Sequence, residues 1–396
     1  MNRPFRRRVL YIPGYDPIPP RRYRELYRRE GANQARISGY DIAMATRPRG
    51  TRFGWGVTSV MGGQQTRADV TVLVWSDVVR ASMGRSIPAT YAQLVRTAWA
   101  YIASGALFRL MRLRRAPVLA ALYPIAVLLA QLAVALLVGW AVWALIPSVF
   151  GVAGGILGVA GVLTLFRRLD GRFFAYYLMH DYAFTARDGG AYPAALSHRI
   201  EEFATAVTDA LNSDVDEVLV VGHSSGAYLA VSVLADVLRA GRPGGAALSL
   251  LTLGHVVPMA AFLPRAGRLR DDLRLVSASD ALTWVDVSAP GDACCFGLCD
   301  PVAVSSVEPD DRRGPLVLSA AFRQTLSPDR QKALRGRWFR LHFQYLCAFD
   351  RPGDYDYFAI TAGPATLAQR FAGRHHSPGR ITRAVNDWPG RRTGAP

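Results

Sequence analysis

Glu217-Val218-Leu219-Val220-Val221-Gly222-His223-Ser224-Ser225-Gly226 is the stretch whose reading decides the fold. Residues 218–221 are apolar without alternation, the pattern of a strand buried on both faces. Residues 227–240 carry apolar positions at helical spacing. The five residues between them therefore form a strand-turn-helix junction. A small residue stands two before and two after Ser224, as a turn that presses a strand backbone against a helix backbone requires. That turn lifts the Ser224 hydroxyl clear of the sheet edge, at a helix start whose N–H groups face incoming negative charge. Working outward, 9–12 reads as a strand ended by Pro13-Gly14-Tyr15-Asp16-Pro17, and 70–75 as a buried strand ending at Ser76-Asp77. Further strands are expected at 248–253, 282–287 and 316–319, with strand-like alternation over 37–61. Helices are expected at 21–31, 88–112, 167–186 and 194–212. Strands alternating with helices predict an α/β fold with a mostly parallel sheet and helices on both faces.

Composition supplies a second decisive segment. The chain has 396 residues, 51% of them hydrophobic and only 19% charged, against about 25% charged in an average globular chain. This balance excludes disorder as the global state. The missing charge is localised, because positions 116–166 hold no charged residue at all. A single membrane pass takes about 20 apolar residues, so this stretch predicts a helical hairpin, with spans at 117–145 and 148–166 and a break at Pro147-Ser148. Gly151, Gly154, Gly155, Gly158 and Gly161 suit close helix contact. A re-entrant pair and a buried core pair are the alternatives, the latter at odds with the length of apolar chain. Arg109, Arg112, Arg114 and Arg115 precede the stretch, and Arg167, Arg168 and Arg172 follow it. The positive-inside rule puts both flanks in the cytoplasm. No signal peptide is read at the N-terminus, where only four apolar residues follow Arg6-Arg7-Arg8. The expectation is an inner (cytoplasmic) membrane protein with two crossings and both ends inside. The division is 1–112 and 167–373 for the two parts of one domain, 116–166 for the hairpin and 374–396 for a flexible tail.

Gly222-His223-Ser224-Ser225-Gly226 fits G-x-S-x-G, and with its strand-turn-helix setting the chain resembles the α/β-hydrolase superfamily over most of its length outside the hairpin. The resemblance implies a serine nucleophile, an acid after a late strand and then a histidine, in that order. The loop Ser288-Ala289-Pro290-Gly291-Asp292 makes Asp292 the candidate acid, with Asp286 and Asp300 as alternatives. His342 is the candidate base and His375 or His376 the alternative; His180 and His198 precede the serine, His223 lies in the turn and His255 follows too early a strand. Two backbone donors hold the oxyanion in the family: Ser225 N–H, and one from the loop after an early strand. Ile12-Pro13-Gly14-Tyr15-Asp16 occupies that place, with proline where the family usually has histidine. Tyr15 N–H is the candidate, with Gly14 close by.

Other constellations point nowhere else. Cys294, Cys295 and Cys299 lack the second ligand pair of a zinc site, so neither metal nor cofactor is expected. The net charge is +17, but Lys332 is the only lysine and the arginines are dispersed. No nucleic-acid partner is expected, and the flanking arginines suit anionic lipid headgroups. No P-loop or dinucleotide fingerprint is present. The expected function is that of a membrane-anchored serine hydrolase of ester or thioester bonds, with lipidic substrates in view. The alternatives are an acyltransferase and a catalytically silent hydrolase fold serving as a scaffold.

Overall fold

A computed structural model describes residues 3–388 apart from 46, 48–51 and 85. Eight strands form one sheet: β1 (Phe5–Ile12), β2 (Asp41–Ala45), β3 (Gly54–Met61), β4 (Gln64–Val72), β5 (Glu217–His223), β6 (Ala247–Leu253), β7 (Thr283–Ser288) and β8 (Leu316–Ser319), in the order β2-β3-β4-β1-β5-β6-β7-β8. β3 runs antiparallel to both of its neighbours, and every other pairing is parallel. The fold is α/β with a mixed, mostly parallel sheet. Alternate residues of β1 and β5 enter different cores, as strand geometry dictates. Leu10, Ile12, Val218 and Val220 pack with the helix Ser225–Arg239 on one face. Val9, Tyr11, Leu219 and Val221 pack with Tyr23 and Tyr27 of the helix Arg21–Ser38 on the other. At the start of the two strands Arg7 and Glu217 form a fully buried ion pair, Nε to Oε2 2.6 Å.

Several boundaries differ from the sequence reading. The residues Ile37 and Ser38 finish a helix that stops at Gly39, whose φ of 72° is left-handed. The strand expected at 70–75 is the end of β4, and Trp75 precedes the helix Ser76–Ser82. The helix expected at 88–112 is two, Ile87–Ala103 and Ala106–Leu113, separated at Gly105 with φ 71°. The helix expected at 167–186 is also interrupted. Phe174 adopts φ 55°, and the Asp170 carboxylate accepts hydrogen bonds from Tyr176 and Tyr177 N–H across that break. Residues 374–388, expected as a loose tail, lie against the body. Ser377 N–H bonds Val317 O at 2.9 Å, Ile381 bridges Cys299, and Asn386 is buried. The remainder of that tail, 389–396, falls outside the described residues.

The chain between β4 and β5 carries the apolar hairpin, helices Arg115–Leu145 and Val149–Arg168. Both are long and apolar enough to cross a membrane. Their most apolar windows are only 22% and 17% buried, whereas a core helix would be mostly covered. Contact between the arms centres on Gly139 and Gly155. A Cβ at either would come within 3 Å of the other's carbonyl oxygen, so only glycine allows this approach. A Cβ at Gly161 would meet nothing within 4 Å, so that glycine is not needed for the approach. The lower part of the first helix, through Leu128, packs on the domain beside Leu94, Tyr176 and Met179.

Candidate active site

All the candidate residues except His342 follow the carboxyl ends of parallel strands, where crevices form in α/β sheets: the Gly14 loop after β1, Ser224 after β5, Asp292 after β7. Ile12 pairs with Gly222 across β1 and β5, which fixes the loop beside the serine. Ser224 has φ 57° and ψ −122°, a strained conformation that only its surroundings impose. Those surroundings are tight. A Cβ at Gly222 would lie 2.5 Å from Gly226 O and 2.7 Å from Ala227 Cα. One at Gly226 would meet the Ile12 carbonyl and lie 2.6 Å from Pro13 O. Gly222 thus makes room for the helix, as expected, while Gly226 makes room for the end of β1. Gly14 is less tightly confined: its Cβ would lie 3.0 Å from Ser224 Cβ and 3.4 Å from Ser224 Oγ. The loop is braced by Trp75 Nε1, which donates to Pro13 O at 2.9 Å, and by Tyr177 Oη, which donates to Tyr15 O.

Asp292 and His342 are both buried and 2.7 Å apart, Oδ2 to Nδ1. Burial pushes the Asp292 carboxyl up, but His342 and hydrogen bonds from its surroundings outweigh burial and hold it below its ordinary value. An ionised carboxylate only accepts, so His342 Nδ1 donates to it. The His342 Nε2 is buried and has no hydrogen-bond partner. It shares no hydrogen bond with Ser224 Oγ, although both residues line one cavity; such bonds often tighten only when substrate is bound.

Two residues around this pair, Tyr345 and Asp181, escaped the sequence reading, and a third, His223, was set aside there as lying in the turn. Tyr345 Oη donates to Asp292 Oδ2 at 3.0 Å and accepts from Ala289 N–H at 3.0 Å. Its spacing three after His342, across a turn, was the available signal. His223 Nε2 bonds His342 O at 3.0 Å and so anchors the backbone of the candidate base. Burial, with His342 beside it, lowers the His223 pKa to about 3, which keeps that ring neutral. Asp181 lines the same cavity with Tyr177 and Thr185, at i−4 and i+4 on the helix Ala175–Ala186. Burial raises its carboxyl to about 7, and His342 opposes the rise.

Asp286, Asp300 and His376 are engaged elsewhere. Asp286 accepts from Thr252 Oγ1 at 2.6 Å inside the sheet, 3.7 Å from His255. Asp300 pairs with Arg312 and Arg380. His376 Nδ1 accepts from Val317 N–H at the start of β8. Buried Cys295 and Cys299 are free thiols, and Cys295 Sγ lies 3.5 Å from Tyr345 Oη. Among the described residues no group of His, Cys, Asp or Glu is gathered in the manner of a metal site. No protein-family model, curated protein or solved structure matches the chain.

Proposed function

We propose that this chain has the α/β-hydrolase fold and is a membrane-anchored serine hydrolase that cleaves ester or thioester bonds through an acyl-enzyme on Ser224. The observation that carries the reading is the strained Ser224 turn facing the same cavity as His342, which is hydrogen-bonded to Asp292 through Nδ1 and whose Nε2 has no partner. In this reading His342 Nε2 takes the hydroxyl proton as Ser224 Oγ attacks the carbonyl carbon. Asp292 fixes the ring and stabilises the imidazolium. The Tyr15 and Ser225 N–H groups hold the oxyanion, each such donor being worth about 3–4 kcal/mol of barrier. The histidine then returns its proton to the leaving alcohol or thiol, and water releases the acid by the reverse sequence; with another alcohol in place of water the outcome is acyl transfer. The hairpin crosses the cytoplasmic membrane twice and holds the site on its inner side. The exposed face of Val95, Trp99 and Ile102 on the helix Ile87–Ala103 suits contact with the lipid surface.

A fluorophosphonate probe on membranes containing the protein tests the chemistry. Labelling of the wild type that disappears in Ser224→Ala and His342→Ala but survives His375→Ala is expected. Absence of wild-type labelling, or undiminished labelling of Ser224→Ala, would sink it and favour the scaffold alternative. A reporter fused after residue 396 tests topology, with a cytoplasmic signal expected and a periplasmic one excluding the hairpin orientation.

A further inference from the structure

Two cavities meet at the foot of the hairpin. The one lined by Ser224 and His342 has a cavity volume of about 90 Å³, the other about 70 Å³. The second is walled by apolar side chains, among them Leu110, Val118, Leu122 and Met179. Its Tyr101 hydroxyl is already spent on Met259 O at 2.9 Å. Tyr182 and Met259 belong to both linings, so the two cavities are neighbours there. The first hairpin helix also reaches both, through Pro117 on the Ser224 side and Val118, Leu122 and Ile125 on the other. Ile102 and Leu122 line the second cavity while remaining exposed, so it opens outward there. Beyond that opening the same helix continues as the bare apolar surface of Leu129, Leu136 and Leu137.

We propose that the second cavity receives the acyl chain of the substrate, making this a hydrolase of long-chain acyl esters taken from the bilayer. The proposal rests on the serine-hydrolase reading and deepens it by naming the substrate class. A carbonyl at Ser224 extends its chain past Tyr182 and Met259 into a space that offers a polar group almost nothing and water no ordered partners. A methylene reaching it from water gains about fourfold in affinity, and one coming from hydrocarbon keeps its apolar surroundings. A chain lying along Leu129 and Leu122 enters from hydrocarbon without crossing water, which a free-standing apolar cavity would not provide.

The test compares labelling rates of Ser224 by ethyl and dodecyl fluorophosphonates, with the full chain in lipid nanodiscs. The wild type is expected to favour the dodecyl probe by more than about tenfold. Ile102→Trp and Leu122→Trp add bulk at two exposed rim positions, where the fold tolerates it, and are expected to lower the dodecyl-to-ethyl ratio about tenfold. Leu137→Trp, on the hairpin outside the cavity, should keep the wild-type ratio. A wild-type ratio near one, or an unchanged ratio in both rim variants, would overturn the acyl-chain site while labelling at Ser224 kept the hydrolase reading intact. If neither probe labels Ser224, both fall together.

Discussion

Gly226→Ala puts the packing of the turn to a test. The new methyl would press on the Ile12 carbonyl and lie 2.6 Å from that of Pro13. Both are backbone atoms, and Ile12 is paired to Gly222 in the middle of the sheet, so neither rotates away. Overpacking of this kind costs about 1–3 kcal/mol and occasionally more. Displacing the Pro13 carbonyl also weakens its bond from Trp75 Nε1, worth about 0.5–1.5 kcal/mol. Against this, alanine favours the helix over glycine by about 1 kcal/mol. The net expectation is a loss of about 0.5–3.5 kcal/mol, or roughly 1–14 °C in the apparent unfolding midpoint. Gly291→Ala is the control: it sits beside Asp292, yet its Cβ would meet nothing within 4 Å, and its effect should stay within about 0.5 kcal/mol. Thermal unfolding of both variants in matched nanodiscs reads the difference. A Gly226→Ala midpoint within a degree of Gly291→Ala would refute the claim that the turn is wedged against β1.

Three further outcomes are expected. Gly14→Ala places a methyl 3.4 Å from Ser224 Oγ with no backbone collision closer than 3.4 Å, so labelling of Ser224 should slow by about 10–100-fold while the midpoint moves little; a large midpoint loss would mean the loop is structural only. Asp292→Asn leaves His342 Nδ1 facing an amide and should cut turnover of an ester by about 10⁴-fold, and a loss below tenfold would remove Asp292 from the mechanism. The Asp181 carboxyl, raised to about 7 by burial, binds its proton more tightly in the folded chain than in the unfolded one. Its contribution to stability is therefore favourable in relative terms at low pH and falls as pH rises from about 4 through 7. Asp181→Asn should gain midpoint at pH 8 relative to wild type and lose that advantage at pH 5; an equal effect at both would exclude the buried carboxyl.

What the sequence made legible was whatever its neighbours in the chain decide. The apolar run of β5, the glycines around Ser224 and the 51 uncharged residues from 116 to 166 all carry local signals, and the structure forms strand, turn and paired helices there. That Asp292 and His342 come together followed from the order implied by the resemblance, not from their own surroundings. The roles of Tyr345, His223 and Asp181 stayed hidden because they depend on elements distant in the chain. Asp181 reaches the cavity only because the helix after the hairpin returns over the Gly14 loop. Residues 374–388 misled for the opposite reason. Their arginine, proline and glycine content reads as loose chain, while Ser377 and His376 meet the exposed edge of β8.

The flanking arginines also serve two purposes where composition showed one. Arg114, read first as a topology signal, donates to Pro290 O at 2.6 Å and Gly297 O at 3.0 Å. Those carbonyls bracket Asp292, so the foot of the hairpin holds the acid loop in place. Arg109 likewise pairs with Asp387 at 3.0 Å and holds the C-terminal stretch. At the opposite end of the sheet Arg7 and Glu217 pin β1 to β5 through a buried pair, which becomes costly once either partner is lost. The pairing of these two strands brings the Gly14 loop to Ser224 although residues 73–216 separate β4 from β5. A long insertion is tolerable there because loop closure grows only slowly with length and the strands on either side are locked independently of it. The insertion does not merely hang from the domain, since its first turns wall both cavities and its leading arginine braces Asp292. In the proposed enzyme, anchoring to the membrane and shaping of the site are therefore tasks of the same residues.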